Sequence, residues 1–265
     1  MDNGSTDSSS ESGTFTGWIR DVAVAGLFLT RLPFRPKGGV GSNDLADAGR
    51  AYPVIGLLVG AFAGSALMLA SELDLHPLAC AFIGLALAAL VTGGLHEDGL
   101  ADVADGFGGG HDRESKMRIM RDSRIGAFGV LALIFSVGLR AALLSGLPGP
   151  GLAAAALVGA AILSRAVLPA LMVFVPLART DGLAANAGRP EPLTLVLALI
   201  VGAVLAAPFI GITATLVGGL AALAAAALLG LVARRQIGGY TGDVLGGAQQ
   251  LAEITVLMTV GAFAL

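Results

Sequence analysis

Charge is what this 265-residue chain lacks. Only 13% of its residues are Asp, Glu, Lys or Arg, against 55% hydrophobic, and mean hydropathy is +0.82. A soluble domain carries about 25% charged residues, so this chain cannot cover a globular surface facing water. Its apolar residues also fall in continuous runs of bilayer length, rich in Ala and Leu. That pattern excludes a transmembrane barrel, whose strands alternate at period two. Cysteine is nearly absent: Cys80 is alone, inside an apolar run, so no intrachain disulfide can form. There is no excess of basic residues either, since the net charge is -3, which argues against a nucleic-acid partner.

What is present is an all-α, polytopic transmembrane helical bundle. Residues 1–14 are polar, Ser-rich and acidic and read as a disordered tail, without the basic and apolar regions of a signal peptide. Residues 15–265 read as one integral membrane domain. Its first apolar segment, 18–30, is short and contains Arg20 and Asp21, and reads as an interfacial or re-entrant helix. About seven spans follow, at 52–71, 77–95, 125–147, 151–177, 193–211, 212–232 and 251–265. Most can cross a hydrocarbon core roughly 30 Å thick; the last is short, and only a Gly211 turn separates the two before it. Basic and non-basic loops alternate along this layout, from Arg31 to Arg50, then Arg113 to Arg124, Arg179 with Arg189, and Arg234 with Arg235. The positive-inside rule then puts these loops in the cytoplasm and the C-terminus outside.

The only long polar interval runs from 93 to 129. Within it Asp98, Asp102 and Asp105 stand at i, i+4 and i+7, which on a helix stacks three carboxylates on one face. Such a row calls for a positive charge, and Mg²⁺, bridging carboxylates to a substrate phosphate, is the simplest. Glu97 reads as a solvated carboxylate at a loop end, and His96 as a locally hydrogen-bonded residue. Asp122, Asp243 and Glu253 are further acidic residues on the same side. Arg113, Lys116, Arg118, Arg121 and Arg124 suit either an anchor for anionic lipid or a phosphate-bearing substrate. Arg140 reads as snorkelling to the outer headgroups, whereas Arg165, near mid-span before Pro169 and Pro176, is costly unless paired and stands as a functional candidate. Carboxylates and arginines at a membrane face suit transfer chemistry on a phosphate. They do not name the acceptor.

The blocks FLTRLP at 28–33, GGLHEDGLADVADG at 93–106, IMRDSRIGAFG at 119–129, SR at 164–165 and GGYTGDVLG at 238–246 resemble, in the same order, the cobalamin synthase (adenosylcobinamide-GDP ribazoletransferase) family. The resemblance covers most of the chain after residue 15. It implies a Mg²⁺-dependent enzyme of the bacterial inner membrane, with its active site on the cytoplasmic side. That enzyme joins α-ribazole, or its 5′-phosphate, to adenosylcobinamide-GDP and releases GMP. Other cobalamin-assembly enzymes are candidate partners. In this light Asp98, Asp102 and Asp105 are expected to hold Mg²⁺, and Arg31, Arg121, Arg124 and Arg165 to contact phosphate. Asp122 or Asp243 is expected to take the proton of the attacking hydroxyl. Two other membrane enzyme classes share parts of the pattern. CDP-alcohol phosphotransferases place arginine where Asp102 stands, and UbiA-type prenyltransferases carry two Asp-rich motifs where this chain has one. A transporter would need more ionisable residues within its spans.

Overall fold

Prolines and glycines mark most boundaries between the helices. The structure is a computed structural model describing residues 8–41 and 43–264. Helix α1 covers Ser8–Leu29, and α2, Asp44–Asp47, leads through a 3₁₀ turn at Ala48–Ala51 into α3, Tyr52–Ser71. Then come α4 (Pro77–Thr92), α5 (Leu95–Gly109), α6 (Arg113–Ile119) and α7 (Ala127–Ser145). The chain continues with α8 (Pro150–Ala166), α9 (Leu168–Phe174) and α10 (Leu183–Ala187). It ends with α11 (Pro192–Ile210), α12 (Ile212–Ile237) and α13 (Gly242–Ala264). Helices α3, α4, α8, α9 and α11 each carry proline in the first turn, where its missing N–H and fixed φ cost least. Among the described residues there is no strand, only an isolated parallel bridge between Leu177 and Tyr240.

Among the described residues, five stretches are long and apolar enough to cross a membrane: Asp44–Ser71, Ala127–Ser145, Pro150–Phe174, Pro192–Ile210 and Ile212–Ile237. The α4–α5 pair makes a sixth only if counted together across its 91° bend. The sequence layout expected seven. One difference is α13, which starts at Gly242 instead of near 251 and brings Gln249, Gln250 and Glu253 into its first half. The other is the expected span at 77–95, which breaks after Thr92 because Gly93 and Gly94 both adopt positive φ, 69° and 70°. Helix α5 leaves the direction of α4 almost at a right angle and is not itself one of the spans. The soft boundary at Gly211 does turn, with φ 78°. Of the expected disordered tail, residues 1–7 lie outside the described residues and Ser8 begins α1.

Helices α8 and α9 form the central element. Of their most apolar window 89% is buried, against 22–44% for the other spans, whose outer faces are left to lipid. Helix α3 lies closest to them because Gly56, Gly60 and Gly64 recur every fourth residue. A Cβ at Gly60 would stand 2.7 Å from the Val158 Cα, and one at Gly56 2.8 Å from the Ile162 Cα. Small residues at this spacing let helix backbones approach where lipid supplies no hydrophobic drive. At the other end of α3, Arg50 stacks 4.6 Å from the centre of the Trp18 ring and donates to Asp21 at 2.6 Å. Arg20 pairs with Asp44 at 2.7 Å. Both charges of the first apolar segment are thus used to tie α1 to the residues leading into α3.

Gly60→Leu is expected to destabilise the protein by about 1–3 kcal/mol or more, because backbone and not a flexible side chain must yield. Thermal unfolding in detergent checks this; a melting temperature equal to wild type contradicts the packing described.

Candidate active site

The carboxylate row lies on α5 as the spacing predicts, but the three members differ in surroundings. Asp98 is exposed, Asp102 is half-buried and Asp105 is buried. Asp105 accepts hydrogen bonds from the backbone N–H of Gly126 at 2.7 Å and of Gly129 at 2.8 Å. These N–H groups are at the start of α7, so Asp105 satisfies a helix N-terminus and favours its dipole. The structure therefore gives Asp105 to the α5–α7 junction, leaving Asp98 and Asp102 as the free pair.

A third carboxylate arrives from α13. A Cβ at Gly99 would lie 2.8 Å from the Asp243 carbonyl oxygen and 3.1 Å from the Gly246 Cα. The two helices can touch there only because both positions are glycine. The loop before α13 is fixed as firmly. The Tyr240 N–H donates to Pro176 O at 2.8 Å, and the Ala178 N–H to Tyr240 O at 2.9 Å. Gly238 turns the chain with φ 86°, and Gly239 fits only without a side chain, since a Cβ would stand 2.7 Å from the Leu177 carbonyl carbon. Thr241 then accepts from the Val244 N–H at 3.3 Å and donates to the Asp243 carboxylate at 3.1 Å. Gly238 and Gly239 of GGYTGDVLG thus serve the bridge between the α9 exit and the α13 start, which carries Arg179 toward Asp243.

These elements enclose a cavity of about 370 Å³. Asp98, Asp243 and Arg179 line its polar part, and Phe28, Leu168 and Met172 its apolar part. Arg179 also borders an open groove of about 570 Å³ with Arg113, Arg118 and Arg121. Sequence reasoning passed over Arg179; its only signal was membership of a basic loop. Burial first, and then the charges of Asp98, Asp243 and Asp105, push the Asp102 carboxyl up to about 7. Negative charge at this spot is uncompensated by the protein.

The other candidates are placed elsewhere. Asp122 forms a 2.7 Å ion pair with the exposed Arg124, whose hydrogen bonds hold its carboxyl down at about 2. Arg121 pairs with Asp181 at 3.1 Å. Arg31 lies against the α4–α5 break, its N–H donating to Val91 O at 2.7 Å. Arg165 is buried, donates to its own helix at Ala161 O and leaves its Nε without a partner among the described residues.

Two expectations are corrected. Arg140 does not snorkel outward but is buried, with Glu253 at 2.8 Å and Glu97 at 3.6 Å. Glu97 is not a solvated loop end: it accepts from Gln250 at 3.1 Å within the same network. Gln249 donates to Glu253 at 2.6 Å and to Ser164 at 2.9 Å, and Ser136 donates to Gln250 at 3.0 Å. This network joins α5, α7, α8 and α13 directly behind the carboxylate row. Nothing in residue spacing announces it, because its members are contributed by four separate helices.

Among the described residues no three His, Cys, Asp or Glu side chains gather tightly enough to hold an ion by themselves. Mg²⁺ does not require this; it is commonly bound by one or two carboxylates, with waters and substrate phosphate completing the shell. The Asp98–Asp102 pair with its uncompensated charge fits that mode.

Fold and site together define a polytopic helical membrane protein with a carboxylate-walled cavity beside an arginine-lined groove. A family described as Cobalamin-5-phosphate synthase matches residues 21–261. The chain is 44% identical over 250 residues to the adenosylcobinamide-GDP ribazoletransferase of Bradyrhizobium diazoefficiens, covering 94% of this chain and 96% of that one. It is 46% identical to that of Azorhizobium caulinodans, covering 93% and 97%, and 45% identical to that of a Sinorhizobium species, covering 92% and 96%. No solved structure matches the chain. The chain belongs to the cobalamin-5-phosphate synthase family.

The raised Asp102 carboxyl sets a pH dependence. Without divalent cation, the native state keeps a proton that the unfolded chain gives up between about pH 4 and 7, so this carboxyl lowers stability as pH rises through that window. Asp102→Asn is expected to be more stable than wild type at pH 8 and equal to it near pH 4. A pH-independent difference in melting temperature contradicts this.

Proposed function

We propose that the protein transfers the adenosylcobinamide-phosphate moiety of adenosylcobinamide-GDP to α-ribazole or its 5′-phosphate. GMP leaves, and adenosylcobalamin or its phosphate forms, late in cobalamin biosynthesis. Family membership over residues 21–261 and relatives of matching length supply the reaction. The observation that carries the site is the meeting of Asp98, Asp243 and Arg179 on one cavity wall.

Asp98 and Asp102 would hold Mg²⁺ on the diphosphate. Bound there, Mg²⁺ would supply Lewis-acid polarisation of the phosphorus and would offset charge on the GMP leaving group. Arg179 stands between the cavity and the basic groove, placed to bind a diphosphate oxygen there. A free ribose hydroxyl of the acceptor, one that the 5′-phosphate leaves unsubstituted, attacks the phosphorus attached to the cobinamide, and the bond to the GMP oxygen breaks. Asp243 takes the hydroxyl proton. Asp122 suits this task less, being held ionised by Arg124 at about 2. The alternation of basic loops supports a cytoplasmic active site on the bacterial inner membrane. CDP-alcohol phosphotransferase, prenyltransferase and transporter readings are not favoured, since whole-length relatives carry the ribazoletransferase name.

Purified protein given Mg²⁺, adenosylcobinamide-GDP and α-ribazole is expected to release GMP and form adenosylcobalamin. Absence of product from folded protein overturns the proposal. Asp102→Asn is expected to lower that rate by about 100-fold or more while inserting normally into membranes; a rate near wild type removes Asp102 from the site.

A further inference from the structure

We infer that the cavity of about 370 Å³ is the acceptor's binding site, taking a planar apolar heterocycle that carries a ribose. This rests on the function proposed above. Three observations carry it.

The first is size. Cavities of this volume suit a single small molecule, whereas a corrin macrocycle bearing a nucleotide cannot enter one. The donor must therefore lie mainly outside.

The second is polarity. Helices α1 and α9 contribute apolar lining, Phe28 from the first and Leu168 and Met172 from the second, the last two being 3% and 1% exposed. Helices α5 and α13 contribute Asp98 and Asp243. A heterocycle seated on the apolar part directs its sugar hydroxyl at the carboxylates, and the reverse orientation would bury ribose against hydrocarbon. The Tyr52 ring also lines this space, and its hydroxyl is already committed to Leu45 O at 2.9 Å, so it offers the ligand a ring and no free donor.

The third is the connection between the two spaces. Arg179 belongs to the wall of this cavity and to that of the basic groove. A donor whose nucleotide lies in the groove presents its diphosphate at Arg179, where it meets a hydroxyl coming from the cavity. The two substrates therefore reach the reacting phosphorus from different sides.

Filling the cavity separates this inference from the function beneath it. Met172→Trp is expected to raise the KM for α-ribazole at least tenfold while changing the KM for adenosylcobinamide-GDP less than twofold. Binding of α-ribazole alone to the full-length detergent-solubilised protein, followed by its intrinsic fluorescence, is expected to weaken by the same factor. If the variant fails to fold, Met172→Phe decides by the same two readings, with a threefold rise expected. A rise in donor KM with acceptor KM unchanged, or no change in either, overturns the assignment. A wild-type protein that makes no product at all overturns the function instead.

Discussion

Everything at the site depends on the backbone contact between α5 and α13. Gly99 and Gly246 remove the side chains that would hold the helices apart, and the carboxylates on either side are thereby brought together. Burial, and then the repulsion of like charges in one half-buried place, push the Asp102 carboxyl far above its ordinary range. The fold holds that repulsion by geometry. It leaves the neutralising charge to be supplied by what binds.

The contrast with the layer behind is instructive. There Arg140 and Arg165 face Glu97 and Glu253, an equal number of charges of each sign around one small cavity. Buried ions are tolerated when they are paired and hydrogen-bonded, and removing one partner from such a pair commonly costs about 3–5 kcal/mol. This balanced layer joins α5, α7, α8 and α13. The unbalanced carboxylates stand in front of it on a rigid support, as precise binding of a charged substrate requires.

The sequence made part of this visible. Helical spacing was enough to place Asp98 and Asp102 on one face, and the apolar runs were enough to find most spans. The end of α4 was missed because Leu95 resumes its apolar pattern beyond Gly93 and Gly94, and the left-handed conformation of those two glycines overrides it. Asp105 was read as a third ligand from helical spacing alone, and the N–H groups it accepts from, those of Gly126 and Gly129, lie 21 and 24 residues away and are backbone, so spacing could not show them. Arg140 was read as solvent-seeking because its distance from Glu253, 113 positions along the chain, is a fact of packing alone. Asp243 could be singled out from its motif, but its place opposite Asp98 depends on the bridge between Leu177 and Tyr240.

The central claim is that Asp98 and Asp102, and not Asp105, hold a divalent ion against a diphosphate. The direct measurement is Mn²⁺ binding followed by electron paramagnetic resonance, in the presence of GDP, on wild type, Asp98→Asn and Asp105→Asn. The account predicts at least a tenfold loss of Mn²⁺ affinity in Asp98→Asn and near-normal affinity in folded Asp105→Asn. Unchanged affinity in Asp98→Asn, or a loss confined to Asp105→Asn, would contradict it.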